Sequence, residues 1–349
     1  ASLRLALPWR GRSEIMRGTS PVLRLKRWRE LQRVHRYLRE GLLKVGGSLC
    51  MLGFSGIGKE ELCEYLVDQA VQAKMVPIFG VMRQRRKEKW NALLHLVQNC
   101  ICILCGQDAV GNDPIPEATV EAVIAKHVPS QPPSLRQACR FLGFKAGETS
   151  ARGLSAEEEA SPAVEEDLVE VAASLVQAVS DLHGVIVVLR LRRGPDIFDG
   201  LGSHASCFWR LMKRLGELAH RRTEAIKSGV RLRPITVICV ARTLPPKEVR
   251  DLVPRLAEKD VLKVFELAPL TEDAAVELMC HVLGVATDYG GSLVKRRLRE
   301  YVIAVSINIP LYIQECLKHL MEEGVVAVQD GECKVLQDLN SVNIAEWVQ

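Results

Sequence analysis

The 349-residue chain is long enough for one large domain or two ordinary ones. Hydrophobic residues make up 48% and charged residues 26%, which is the composition of a folded globular protein and excludes a disordered one. The net charge of +5 permits a nucleic acid or an anionic membrane as partner without requiring either, and no apolar stretch approaches the ~20 residues that span a bilayer.

The first 24 residues form an N-terminal extension that contains five arginines and one acid. A mitochondrial presequence has this composition, but Pro8 and Pro21 interrupt any helix there. We therefore expect an intracellular, cytoplasmic protein, with a mitochondrial location as the alternative. From residue 25 to 43, apolar side chains recur at helical spacing, which predicts a helix.

A glycine-rich turn follows a short apolar run near 48–53 and precedes an amphipathic pattern that reaches about Lys74. Its residues match G-x-x-x-x-G-K, but the Ser or Thr expected next is replaced by a glutamate. A strand, a turn and a helix in this order are what a phosphate-binding loop requires. The candidate nucleotide-binding residues here are Gly53, Gly56, Ile57, Gly58, Lys59 and Glu60.

The next segments predict a strand at 76–82, a basic solvated loop at 83–89 and a helix ending in "NCICILC". We interpret its three cysteines as one apolar side of a helix rather than as a zinc site, because no second Cys/His pair lies nearby. The odd total of 11 scattered cysteines favours buried reduced thiols. Prolines and a Gly/Ala/Ser/Glu stretch predict an insertion at 106–163 whose last part, 146–163, is mobile.

Helical and strand patterns alternate again from 165 to 241, with β-branched runs near 185–190 and 235–241. Alternation of this kind predicts an α/β fold, with a parallel sheet and flanking helices, across residues 25–270. From 272 to about 323 the pattern is helical, so residues 271–349 are expected to hold a smaller helical lid domain and the start of a following segment.

Several motifs in this order resemble the signal-transducing (STAND-type) branch of AAA+ P-loop ATPases. Within it, the chain is most similar to the ATPase-like module of soluble class III adenylyl cyclases. "LKRWREL" at 25–31 resembles the family's opening motif V-G-R-E-x-E-L, and "FELAPLTEDAAVELM" resembles its linker into the helical lid. "INIPLYIQECLKHLMEEGVV" is similar to G-N-P-L-Y-I-E-E-L followed by L-x-E-x-G, with Asn308 and Ile309 replacing Gly-Asn and Pro310 retained.

The resemblance implies a site that contains two arginines, one at a position where the family has an acidic residue and one where it has an arginine. Arg190 and Leu191 stand where the family's Walker B strand ends in an acidic pair, Asp196 falls on a later Asp of that motif, and Arg242 matches an Arg of the sensor-one strand. Hydrolysis needs carboxylates that hold the metal and orient water. The exchange predicts weak binding of ATP or ADP that depends little on Mg²⁺ and leads to no turnover, and it leaves the metal ligands unknown.

Three functions are open at this point. The first is a degenerate P-loop module, a pseudoenzyme with a structural or nucleotide-sensing role, and protein partners in a larger polypeptide or assembly. The second is an active signalling ATPase, associated with an adenylyl cyclase, that uses Glu60 and Asp196 as metal ligands. The third is a nucleic-acid-associated AAA+ protein, which the basic run at 83–89 would suit, although residues 325–349 are too few for a complete winged helix. We do not expect nucleic acid as the partner.

Overall fold

The computed structural model describes residues 36–83, 91–106, 116–128, 162–192, 202–242, 261–286, 294–329 and 331–339. The N-terminal extension, most of the basic run, the segment 146–161 and Asp196 lie outside these residues. The predictions made for them stay predictions.

A π-helical turn at Leu38–Leu42 comes first, and the regular elements then follow in chain order. The strands are β1 Gly47–Leu52, β2 Val76–Arg83, β3 Val185–Arg192, β4 Ile235–Val240, β5 Lys263–Glu266, β6 Val326–Gln329 and β7 Glu332–Val335. The helices are α1 Lys59–Gln72, α2 Asn91–Leu104, α3 Glu117–His127, α4 Pro162–Leu182, α5 Gly202–Lys227, α6 Glu272–Leu283, α7 Arg296–Ser306 and α8 Pro310–Glu322.

Five strands form one sheet in the order β2-β3-β4-β1-β5. The β1–β4, β2–β3 and β3–β4 pairs are all parallel, with Met51 opposite Val240 and Val240 opposite Arg190. The sequence prediction of a parallel sheet with flanking helices is therefore confirmed as an α/β fold. Because β2, β3 and β4 are consecutive in the chain and pair in parallel, crossover connections rather than tight turns must join them.

Both faces of β3 are buried. Alternate residues of β3, from Val185 to Leu189, join the main core with α2, α3, α4 and α5. The intervening Ile186 and Val188 are also fully buried, on the opposite face. A β-branched run buried on both faces is typical of a central parallel strand, which is why this segment has no polar alternation.

The chain divides into two compact units, each of which has its own internal contacts. The sheet unit includes Arg36–Leu52 and Tyr65–Phe265, and the helical unit includes Gly53–Glu64 and Glu266–Gln349. In the helical unit, α6, α7 and α8 bury a separate apolar core with residues of β6 and β7. Helices therefore occupy most of 272–322, as the pattern predicts, and an antiparallel hairpin that the sequence analysis did not predict follows them.

Candidate phosphate-binding loop

The glycine-rich turn lies directly between β1 and α1, so the predicted strand, turn and helix occur where the motif requires them. β1 ends at Leu52 and α1 begins at Lys59. A helix N-terminus leaves up to four backbone N–H groups without intrahelical partners, and its macrodipole favours an anion. This is the local chemistry on which phosphate loops depend.

Three loop residues have backbone conformations that favour glycine, with φ of 148° at Gly53, 76° at Gly56 and 98° at Gly58. At Gly53 a Cβ would lie 2.9 Å from the carbonyl oxygen of Leu267. At Gly56 a Cβ would lie 2.6 Å from Cβ of Leu311. Two of the three motif glycines are thus required by a close approach as well as by their φ angle.

The side chain of Lys59 bonds back to the start of the loop. Its side-chain Nζ donates to the carbonyl oxygens of Gly53, at 2.5 Å, and Phe54, at 2.6 Å. The residue is 9% exposed, so its positive charge is held close to the loop backbone rather than extended into solvent. A cation in this place compensates the two carbonyl dipoles and could also meet a phosphate.

Glu60 and Glu61 occupy the first turn of α1, and Glu60 is exposed. Carboxylates in a first helical turn interact favourably with the macrodipole, typically by 0.3–1 kcal/mol. The same charge would repel a bound phosphate. Glu60, which stands where the motif has a hydroxyl, therefore stabilises α1 without a ligand and disfavours a bound phosphate.

The N-terminus of α8 packs onto the loop within the helical unit. The backbone N–H of Leu311 donates to the carbonyl oxygen of Gly56 at 3.2 Å, and a Cβ on Gly56 would lie 3.4 Å from Cγ2 of Ile309. Two residues before α8, the carbonyl oxygen of Asn308 accepts a hydrogen bond from the N–H of Leu270. These residues were not among the sequence-based candidates, although the quoted linker and "INIPLY" motifs contain them and could have indicated them.

The two arginine candidates, Arg190 and Arg242, belong to the sheet unit. Arg190 is half-buried within β3, opposite Val240, and β3 continues to Arg192. The expectation that Arg190 stands at the strand end is therefore wrong by two residues. Arg242 is exposed just beyond β4, where the N–H of Ala241 still donates to the carbonyl oxygen of Met51.

Among the described residues, the cysteines do not form an alternative site. In the described part of the chain, nine cysteines are unbridged and all except Cys105 are buried. Burial raises the pKa of Cys100 and, less strongly, of Cys102, which keeps these thiols protonated and weakly reactive. Among the described residues, no group of three or more His, Cys, Asp or Glu side chains could hold a metal ion.

No protein-family model and no curated protein sequence matches the chain. The similarity to STAND-type ATPases therefore rests on the motifs quoted above. Within the described residues, no helix is long and apolar enough to cross a membrane.

Proposed function

We propose that the chain is a degenerate P-loop NTPase module with a structural or nucleotide-sensing role in a larger protein or assembly. The observation that carries the proposal is Lys59, whose buried ammonium bridges the first two carbonyls of a glycine-rich loop between a strand and a helix. A loop closed in this way is organised around one cation and a helix N-terminus, which together suit a phosphate group.

The sheet order gives independent support. In the strand order, the connection from β1 runs towards β2 at one end of the sheet, whereas the connection from β4 runs towards β5 at the opposite end. The point between β1 and β4 is a topological switch point, and ligands of open α/β sheets bind beyond the carboxyl ends of such strands. The glycine-rich loop directly follows β1 in the chain, and β1 is one of the two strands at the switch point.

Glu60 is the main reason to expect weak binding. Two unit charges ~5 Å apart at an effective dielectric of ~20 repel by roughly 3 kcal/mol, which corresponds to about two decades of affinity. The module then binds ATP or ADP weakly, depends little on Mg²⁺ and does not hydrolyse the nucleotide.

We further propose that α6–α8 act as the helical lid of this module. The hydrogen bond between Leu311 and Gly56 links the N-terminus of α8 to the loop, so a nucleotide that changes the loop conformation would change this contact. A regulatory role follows from that link, because the state of the loop would be transmitted to the helices and to whatever partner they contact.

Calorimetric titration of the chain with ATP and with ADP, in magnesium and in chelator, tests the proposal. Lys59→Ala should abolish binding, whereas Lys44→Ala, which removes an exposed lysine before β1, should not change it. Glu60→Thr should tighten binding by up to about a hundredfold, and Glu61→Thr, the matched control in the same helical turn, by much less.

Three outcomes would contradict the proposal in different ways. Tight binding only in magnesium, or phosphate release above background, would favour the active ATPase. Binding that survives Lys59→Ala would mean that the loop is not the nucleotide site. Salt-dependent binding to DNA would favour the nucleic-acid-associated alternative.

A further inference from the structure

We infer that the edge of the sheet at which β3 and β4 begin is a docking surface for an acidic amphipathic segment of a partner protein. The surface, here called the basic-apolar edge, consists of Leu182, Val230, Arg231, Leu232 and Arg233. All five belong to the sheet unit, and the inference does not depend on nucleotide binding.

The basic-apolar edge exposes three aliphatic side chains. Leu182 is 52% exposed, Val230 is 49% exposed and Leu232 is 38% exposed. Leu182 ends α4 immediately before β3, and the other two lie in the segment that leads into β4. Exposed aliphatic side chains that share an edge with exposed charges are a feature of protein-interaction sites.

A buried arginine holds the two segments together. Arg222 is 7% exposed, and its guanidinium donates to the carbonyl oxygen of Arg233 at 2.7 Å and to that of Ser180 at 3.0 Å. It also pairs with Asp181 at 3.0 Å. One side chain therefore fixes the residues next to Leu182 and the residue that follows Leu232.

Backbone hydrogen bonds add to this constraint. The N–H of Val185 donates to the carbonyl oxygen of Pro234 at 3.0 Å, and that of Leu232 donates to the carbonyl oxygen of Val230 at 2.9 Å. A surface whose backbone is already fixed loses little conformational entropy when a partner binds. The exposed side chains are thus presented on a preorganised support.

The positive charges of the basic-apolar edge favour an acidic partner. Arg231 and Arg233 are exposed and alternate with Val230 and Leu232 along the chain. The carboxylate beside Leu182, that of Asp181, already has a cationic partner, because it pairs with Arg222 at 3.0 Å. Exposed guanidinium groups beside aliphatic side chains are complementary to carboxylates on an apolar helix face.

A protein fits these observations better than a membrane. Interfacial membrane binding relies on amphipathic helices with aromatic anchors that enter the headgroup region. The basic-apolar edge is formed by the end of one helix and a short loop, and its apolar residues are all aliphatic. It therefore offers a compact contact for one peptide segment.

Fluorescence anisotropy with a fluorescein-labelled amphipathic helical peptide of Leu, Ala and Glu tests the inference on the full chain. Arg231→Glu combined with Arg233→Glu should weaken binding by at least about tenfold, and so should Leu182→Ser combined with Leu232→Ser. Arg221→Glu, which reverses an exposed arginine outside the edge, should leave binding unchanged. The doubly reversed variant should instead bind the peptide in which Lys replaces Glu.

Circular dichroism melts show whether each variant is folded, and substitutions at these exposed positions should change stability little. Equal binding by wild type and both double variants would overturn the inference. The same holds if the Glu peptide does not bind while vesicles that contain phosphatidylserine do, because the edge would then be a membrane contact.

Discussion

Two turns of the helical unit use the left-handed backbone region with different residues. The loop after β1 has glycine at Gly53, Gly56 and Gly58, whereas the turn between α7 and α8 has Ile307, at a φ of 49°, and Asn308, at 58°. A residue with a Cβ in this region costs roughly 1–2 kcal/mol relative to glycine. The comparison teaches that glycine is required where neighbouring atoms also exclude a side chain, as at Gly53 and Gly56, whereas a residue with a Cβ is tolerated where the position is open, as at Ile307.

Packing explains the difference between the two turns. Gly53 and Gly56 approach Leu267 and Leu311 too closely for a Cβ. Ile307, in contrast, is 63% exposed, so its side chain meets no steric barrier and only the backbone is strained. Asn308 stands where the family that the motifs resemble has glycine, and asparagine is one of the residues that tolerate this backbone region best.

The largest effect is expected for Gly56→Ala, because the new Cβ meets both a positive φ and Cβ of Leu311. Backbone strain of ~1–2 kcal/mol and overpacking of a similar size give a loss of about 2–4 kcal/mol in the free energy of unfolding. Urea denaturation of both proteins measures the loss.

Gly284→Ala is the matched control, since this glycine has a φ of 68° and no atom within 4 Å of its Cβ position. It should lose only the backbone part, about 1 kcal/mol. Equal losses for the two variants would show that the contact with Leu311 does not constrain the loop.

The next largest effect is expected for Lys59→Met, which keeps the side-chain volume but removes the donor. The carbonyl oxygens of Gly53 and Phe54 would lose a charged partner, at a cost of about 1–3 kcal/mol in the absence of any nucleotide. Lys44→Met, at an exposed position, should stay within about 0.5 kcal/mol of wild type. An unchanged stability in Lys59→Met would mean that the glycines and α8 alone define the loop.

Much of the sheet could be predicted from the sequence, because its strands are continuous apolar runs. The predicted run at 185–190 is β3, Val185–Arg192, and the run at 235–241 is β4, Ile235–Val240. β5, Lys263–Glu266, was not predicted, because it is short and largely exposed and so lacks an apolar pattern. β3 extends past its apolar run because Leu191 and Arg192 pair with β2, a constraint that hydropathy does not contain.

The candidate loop was predictable for a similar reason, and its surroundings were not. Glycines and a lysine at fixed spacing after a strand identify the loop locally. The contact between Leu311 and Gly56 joins residues far apart in the chain, and the inward position of the Lys59 ammonium depends on the folded loop. Neither follows from a local pattern.

Ile307→Gly should raise the free energy of unfolding by about 1 kcal/mol, because it relieves a β-branched residue in the left-handed region while removing an exposed side chain. Ile307→Ala, which keeps a Cβ, should give a smaller gain. Thermal denaturation followed by circular dichroism measures both. A destabilised glycine variant would indicate that the side chain of Ile307 contributes more than its exposure implies.

The smallest effect is expected for Asn308→Gly, and it is the sharpest test of the comparison. The substitution removes modest backbone strain and a side-chain oxygen, Oδ1, that is buried without a hydrogen-bond partner in the described part of the chain. Against these gains, glycine adds conformational entropy to the unfolded chain, by roughly 0.4–1 kcal/mol. We therefore expect a gain of at most about 0.5 kcal/mol, measured beside Ile307→Gly under the same conditions. Because the bond from Leu270 goes to the backbone carbonyl of Asn308, it survives the change. A gain as large as that of Ile307→Gly would show that asparagine is strained here as isoleucine is, and the argument that this turn tolerates asparagine better than isoleucine would fail.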